Sequence, residues 1–284
     1  MRSMVDDLRS SDAVLTTHVL DMAKGQPGRG LQVELYRITE SAPEKILSTA
    51  TNADGRCDSP LLTRAEATAG LYLLSFDAGR YLGSSPAMAG GTDFFDRITV
   101  EFFIADPSCH YHVPLILAPW GYTTYRGAPP ERPPSDRGSP SPLSGEEPAA
   151  AQATESEAAP TPGSGAAGLT THVIDIARGC GAAGLRVDVH KLSEDGSEPQ
   201  LLSRQHTTPE GRTPAWLIEA GRLEPAGYEL AFHLGDYFGR PGSASAAMPF
   251  FPTARVRFRI ADPDTHYHLP LLAAPWGYTT YRGS

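Results

Sequence analysis

Cysteine is nearly absent from this sequence: Cys57, Cys109 and Cys180 are the only three in 284 residues. Scattered and odd in number, they form neither a disulfide framework nor a CxxC zinc pattern, and they read as idle thiols in a reducing compartment. No apolar run approaches the roughly 18–20 residues that a membrane helix needs. The N-terminal stretch MRSMVDDLRSSDAVLTTHV has no continuous apolar core, so no secretory signal is expected there. Positive charge is in deficit. The 24 Lys and Arg face 33 Asp and Glu, a formal net charge of -9. A nucleic-acid binder needs a basic face, so that class is excluded. Glycine-rich phosphate loops of the GxGxxG or Walker type are also missing.

What is present is a long internal repeat. LTTHVLDMAKG at 15–25 returns as LTTHVIDIARG at 169–179, and GLQVELYRI at 30–38 as GLRVDVHKL at 184–192. DGR at 54–56 becomes EGR at 210–212. IADPSCHYHVPLILAPWGYTTYRG at 104–127 becomes IADPDTHYHLPLLAAPWGYTTYRG at 260–283. Two residues are gained within the second copy, in the polar stretch SEDGSEPQ, where a loop absorbs them at little cost. The chain therefore divides into a flexible N-terminus (1–13), a first domain (14–128), a linker (129–168) and a second domain (169–284). The linker is rich in Pro, Ala, Ser, Gly and Glu and almost free of large apolar residues. It cannot bury enough surface to offset its ordering entropy, and disorder is expected. As a flexible tether it would span on the order of 35 Å.

Within each copy the pattern is short strands. LQVELYRI (31–38), ILSTAT (46–51), LYLLSF (71–76), ITVEFFIA (98–105) and HYHVPLIL (110–117) are rich in β-branched and aromatic residues and bounded by turn formers. RVRFRI (255–260) alternates charge with apolar residues at period two, a strand with one wet and one buried face. NADG (52–55) reads as a hairpin turn, and AGRYLG (78–83) as a short helix. Seven or eight strands in about 115 residues predict an all-β antiparallel sandwich in each copy.

The candidate chemistry lies in histidine and arginine. His110 and His112 are two apart on a predicted strand and share a face, as do His266 and His268. Such a pair could supply two zinc ligands, with His18 or His172 as a third. No carboxylate or cysteine stands at a familiar metal spacing, which weighs against that reading. A structural histidine is the plain alternative for each. Arg56 and Arg212 follow a glycine just past a turn, where an arginine is commonly a solvated strand start. Both nevertheless persist inside otherwise dissimilar stretches. Arginine offers a rigid fork of donors for carbonyls and oxyanions, and histidine a proton acceptor near neutral pH. Together they suit activation of water and stabilisation of an oxyanion. The aromatic tail GYTTYRGS reads either as a capped edge strand or as a segment tucked into a site.

Taken in order, LTTHVLD, DGR, HYHVPL and YRGS closely resemble the 5-hydroxyisourate hydrolases, the enzymatic relatives of transthyretin. The resemblance covers both copies nearly end to end. It implies two tandem transthyretin-like β-sandwiches, each of two antiparallel four-stranded sheets with one short helix. It also implies a homotetramer with active sites in a channel between dimers, here a pseudo-tetramer built from a homodimer of tandem chains. The implied reaction is hydrolysis of 5-hydroxyisourate to 2-oxo-4-hydroxy-4-carboxy-5-ureidoimidazoline in urate degradation, with no metal or organic cofactor. By motif, the implied catalytic residues are His18, Arg56 and His112 in the first copy and His172, Arg212 and His268 in the second. The implied substrate-binding residues are Tyr125, Arg126, Tyr281, Arg282 and Ser284. The first copy departs from the pattern at Ala128, which stands where the family has the terminal Ser. With the intact His-Arg-His set, two working or partly working sites per chain are expected, with loss of rate below about pH 6 as histidine protonates. A small-ligand carrier is the alternative. Transthyretin has Thr in place of the second His and lacks the YRG tail, and both copies here carry the hydrolase version. A cytoplasmic location is expected, with peroxisomes as the alternative in a eukaryote.

Overall fold

The computed structural model describes residues 12–83, 93–127, 167–193, 197–240 and 249–283. The expected flexible N-terminus falls mostly outside these residues, and so do nearly all of the linker, Ala128 and Ser284. In the first copy, strands β1 (Ala13–Thr16), β2 (Val19–Asp21), β3 (Gln26–Pro27), β4 (Gln32–Ile38), β5 (Pro43–Ala50), β6 (Leu62–Thr63) and β7 (Gly70–Asp77) precede helix α1 (Ala78–Gly83). A 3-10 turn (Asp93–Phe95) and strands β8 (Arg97–Ile104), β9 (Tyr111–His112), β10 (Leu115–Ala118) and β11 (Gly121–Tyr125) follow. The second copy repeats them, apart from β6 and the 3-10 turn, as β12 (Gly168–Thr170), β13 (Val173–Asp175), β14 (Cys180–Gly181), β15 (Arg186–Lys191), β16 (Gln200–His206), β17 (Ala226–Phe232), α2 (Leu234–Phe238), β18 (Ala254–Ile260), β19 (His266–His268), β20 (Leu271–Ala274) and β21 (Gly277–Tyr281).

Each copy is a sandwich. One layer is a four-stranded antiparallel sheet, ordered β5-β4-β7-β8 in the first copy and β16-β15-β17-β18 in the second. Period-two alternation decides which face goes in. Val33 and Leu35 of β4 are buried, as are Leu74 and Phe76 of β7 and Ile98, Val100 and Phe102 of β8. The second layer is mixed rather than antiparallel throughout. β10 pairs with β2 in parallel, and β9 with β1 likewise, because the opening strand and the HYHVPL strand run in one direction.

The single strand expected over 110–117 is assigned as two, β9 and β10, separated by Val113 and Pro114. Proline has no N–H to give a ladder. Here none is needed: Val113 N–H donates to Thr16 O (3.0 Å) and Leu115 N–H to His18 O (2.8 Å), so the parallel ladder steps over Pro114. NADG forms a turn but closes no hairpin between two ladder strands. Asn52 Oδ1 accepts from the N–H groups of Asp54 (3.0 Å) and Arg56 (3.2 Å), and the chain then bridges back to His18.

The two sandwiches join into one continuous structure. β11 and β21 pair antiparallel, with Tyr122 opposite Thr280, Thr123 opposite Thr279 and Thr124 opposite Tyr278. The hydroxyls of Thr123 and Thr279 lie 2.9 Å apart. This junction merges the second layers into an eight-stranded sheet ordered β14-β13-β20-β21-β11-β10-β2-β3. In the other layer, β8 and β18 lie edge to edge, tied by Phe103 N–H donating to Phe250 O (2.9 Å) and by Arg255 with Glu101 (2.9 Å). The strand that would be an unpaired edge in one copy is thus covered by the other.

Candidate active site

His18 stands at the break between β1 and β2, and its backbone forms an antiparallel bridge with Arg56. The turn before Arg56 dictates glycine. Gly55 has φ +70, and a Cβ there would come within 2.3 Å of Val19 O and 3.2 Å of the His18 ring. The equivalent Gly211 has φ +81, with Val173 O at 2.0 Å from such a Cβ, and His172 bridges Arg212. The glycine of DGR and EGR is therefore what lets the arginine approach the histidine.

The second histidine is seated by the tail. His112 bridges Gly127, and His268 bridges Gly283. A Cβ on Gly127 would lie 2.7 Å from His112 Cδ2, and one on Gly283 would lie 2.8 Å from His268 Cδ2. Each imidazole lies over a bare backbone, which accounts for the glycine of YRG.

His18, Arg56 and His112 come together. Arg56 and His18 both act electrostatically on His112, after burial as the largest influence, and its pKa is pushed down to about 4. His268 is likewise brought to about 4 by burial, then by Arg212, His266 and His172. His18 is lowered by burial and by Arg56. All three are therefore neutral imidazoles at pH 7, able to accept a proton. Arg56 and Arg212 are exposed. In the second copy His172 Nε2 lies 2.8 Å from Glu210 O.

The flanking pairs behave differently from metal ligands. His110 Nε2 and His112 Nδ1 both reach the hydroxyl of Thr16, at 3.2 and 2.9 Å. His266 and His268 share Thr170 in the same way, at 2.8 and 3.0 Å. Among the described residues, no group of three or more His, Cys, Asp or Glu is placed to hold a metal ion.

The tail residues divide. Tyr125 and Tyr281 are 41% and 44% exposed on the outward face of the eight-stranded sheet, the face onto which Thr123 and Thr279 also point. Arg126 instead lies in an aromatic cage, 4.9 Å from the Tyr111 ring and 5.4 and 5.2 Å from Phe250 and Trp276 of the other copy. Arg282 is caged reciprocally by Tyr267 (4.9 Å), Phe94 (5.3 Å) and Trp120 (5.2 Å). These guanidiniums fasten one copy to the other by cation–π contact. Ser284 lies outside the described residues.

Sequence reasoning passed over Thr16 and Thr170, though both stand in the repeated LTTH. It also passed over Asp21 and Asp175, which close the LTTHVLD motif. Asp21 is buried, accepts from the N–H groups of Ala23 (3.0 Å) and Lys24 (3.1 Å), and takes a bond from Tyr81 Oη (2.8 Å). It holds the turn beyond β2 and does not face the site.

The two-layer sandwiches, each with its cluster of two histidines and an arginine, are transthyretin-like. The chain belongs to the HIUase/Transthyretin family, which matches residues 15–127 and 169–283. It is 46% identical over 125 residues to a 5-hydroxyisourate hydrolase of Mesorhizobium japonicum, covering 44% of this chain and 100% of that one. It is 46% identical over 114 residues to a 5-hydroxyisourate hydrolase of Pseudomonas aeruginosa, covering 40% of this chain and 90% of that one. Among solved structures, the 5-hydroxyisourate hydrolase of Klebsiella pneumoniae is 35% identical over 41% of this chain and 100% of its own, with a TM-score of 0.34. Each of these relatives matches one half of the tandem chain.

Proposed function

We propose that this hydrolase opens the ring of 5-hydroxyisourate to give 2-oxo-4-hydroxy-4-carboxy-5-ureidoimidazoline, with one working site in each half. The observation that carries the reading is the meeting of His18, Arg56 and His112, repeated by His172, Arg212 and His268. The relatives at 46% identity bear the same activity in their names.

The chemistry follows from the groups. A neutral imidazole takes a proton from water as the water oxygen bonds to a ring carbonyl carbon. Arg56 or Arg212 holds the carbonyl and balances the charge that develops on its oxygen. Collapse of that oxyanion breaks the carbon–nitrogen bond. The proton held by histidine passes to the departing nitrogen, and the former carbonyl leaves as a carboxylic acid. Tyr125 or Tyr281 contacts the ring. No redox step is involved, and the groups named suffice to balance the reaction.

Because each chain already pairs its two copies, two chains stacked through the outward face of the eight-stranded sheet would bring four sites together. Half-buried Leu20, Ile116, Ile174 and Leu272 lie on that face and supply apolar surface for the contact.

The test of the reading is site removal. The His112→Ala and His268→Ala variants should each keep about half of the wild-type rate if the sites act independently, and the double variant should keep none. A double variant as active as wild type would reject the assignment.

A further inference from the structure

We propose that Thr16 and His110 are positioning residues that lock His112 in one tautomer, with its proton on Nδ1 and its lone pair on Nε2. The inference deepens the hydrolase reading and rests on it for its kinetic consequence.

The direction of the hydrogen bonds settles the matter step by step. His110 Nδ1 lies 3.0 Å from the backbone carbonyl of Ala13. A carbonyl can only accept, so Nδ1 carries the proton. In neutral His110, Nε2 is then an acceptor. The group opposite it, at 3.2 Å, is the hydroxyl of Thr16, which must donate its single proton there. That leaves only a lone pair on Thr16 Oγ to meet His112 Nδ1 at 2.9 Å. His112 Nδ1 must therefore be the N–H donor, and His112 Nε2 is the unprotonated nitrogen. The chain of donors runs from His112 through Thr16 and His110 to Ala13.

The relay also holds the ring in place. Gly127 lies against one face of His112, and Thr16 fixes the Nδ1 edge. Thr16 is itself positioned at the end of β1, where it is opposite His112 in the parallel pair. A general base needs both a free lone pair and a fixed direction, and the relay supplies both without touching substrate.

The second copy has the same three side chains without the same anchor. Thr170 lies 2.8 Å from His266 Nε2 and 3.0 Å from His268 Nδ1. Among the described residues no hydrogen bond from His266 Nδ1 to a carbonyl accompanies them. The His266 ring packs instead against the edge of Trp216, with centroids 5.5 Å apart. Trp216 fits because its neighbour is Gly168, where a Cβ would meet the indole at 2.4 Å; the first copy has Val14 at the corresponding place. The direction of the second relay is thus not imposed by a backbone carbonyl at its far end among the described residues, and the proposal is confined to His112.

The test is a long-range proton–nitrogen correlation spectrum of the full chain labelled with nitrogen-15 in histidine, at pH 7. His112 is assigned by loss of its signals in His112→Gln. The expected result is a protonated Nδ1 and an unprotonated Nε2 for His112. Thr16→Val, which keeps the shape and removes the hydroxyl, should abolish the fixed pattern, and Thr16→Ser should restore it. A wild-type His112 protonated on Nε2, or a pattern unchanged in Thr16→Val, would overturn the proposal. Kinetics add a second readout in a chain carrying His268→Ala, where only the first site works. There Thr16→Val should lower kcat on the order of tenfold or more with KM little changed, and Thr16→Ser should recover most of it. If the wild-type chain failed to hydrolyse 5-hydroxyisourate while the tautomer pattern stood, the relay would survive and the substrate reading would fall.

Discussion

Arg255 Nε donates to Glu101 Oε2 across 2.9 Å, and so ties the second copy to the first through a carboxylate that is only 5% exposed. The repeat sets Thr99 at the position of Arg255, and Arg257 at the position of Glu101. Two first copies paired in the same way would leave Glu101 facing Thr99. Two second copies would set Arg257 against Arg255. The charge pattern therefore favours one copy of each kind, as joined in this chain. Arg255 also reaches Glu229 (2.8 Å), whose carboxyl stays below its ordinary pKa because Arg257 and Arg255 outweigh the opposing effect of burial. Replacing Arg255 by Met leaves Glu101 buried without its partner. Equilibrium unfolding in urea should show a loss of about 3 kcal/mol. An unchanged midpoint would remove the pair from the account of how the copies join.

The pH dependence shifts from what histidine content alone implies. His112 and His268 are brought to about 4, chiefly by burial, and His18 is also lowered. The basic form of His112 and His268 therefore persists well below pH 6. The value of kcat/KM should hold to about pH 5 and fall toward pH 4. Stability follows the same sign. The unfolded chain takes up protons on these histidines near pH 6.5, while the folded chain resists until about pH 4. Their contribution is therefore present above about pH 6.5 and is lost as pH falls toward 4. A kcat/KM profile with its midpoint at 6 or above would contradict the buried, Arg-flanked setting.

Gly127 and Gly283 should tolerate no side chain. A methyl group at Gly127 would lie 2.7 Å from the His112 ring and must displace it. Gly127→Ala is expected to reduce the first site's rate on the order of a hundredfold, since misplacing a catalytic group by about 1 Å is that costly. The far-ultraviolet spectrum should stay that of the wild type. Gly283→Ala reads the second site in the same way. Full activity in the combined variant would mean that the rings are not held by the tail.

Much of this architecture was legible in the sequence because it is written in local pattern. RVRFRI alternates in the structure as its charges imply, with Val256, Phe258 and Ile260 buried, and AGRYLG is helical. The candidate site residues stand out in the sequence through motifs whose spacing survives twice. What stayed hidden depends on partners distant in the chain. GYTTYRGS reads as a capped edge strand or a segment tucked into a site, and nothing local says that the free edge of one GYTTY meets the other. Glu101 lies within a predicted strand, and nothing local says that Arg255 of the other copy meets it. Arg126 and Arg282 read as substrate contacts, but their cages are completed by Phe250 and Phe94, which stand far off in sequence. The break at Pro114 and the roles of Thr16 and Thr170 likewise follow from parallel pairing between the two ends of a copy.

The most direct measurement is the decay of 5-hydroxyisourate generated in the cuvette by urate oxidase, followed by ultraviolet absorbance with and without the full chain. The account predicts strong acceleration over the spontaneous decay, in proportion to enzyme added. Decay at the spontaneous rate, in folded protein, would contradict it.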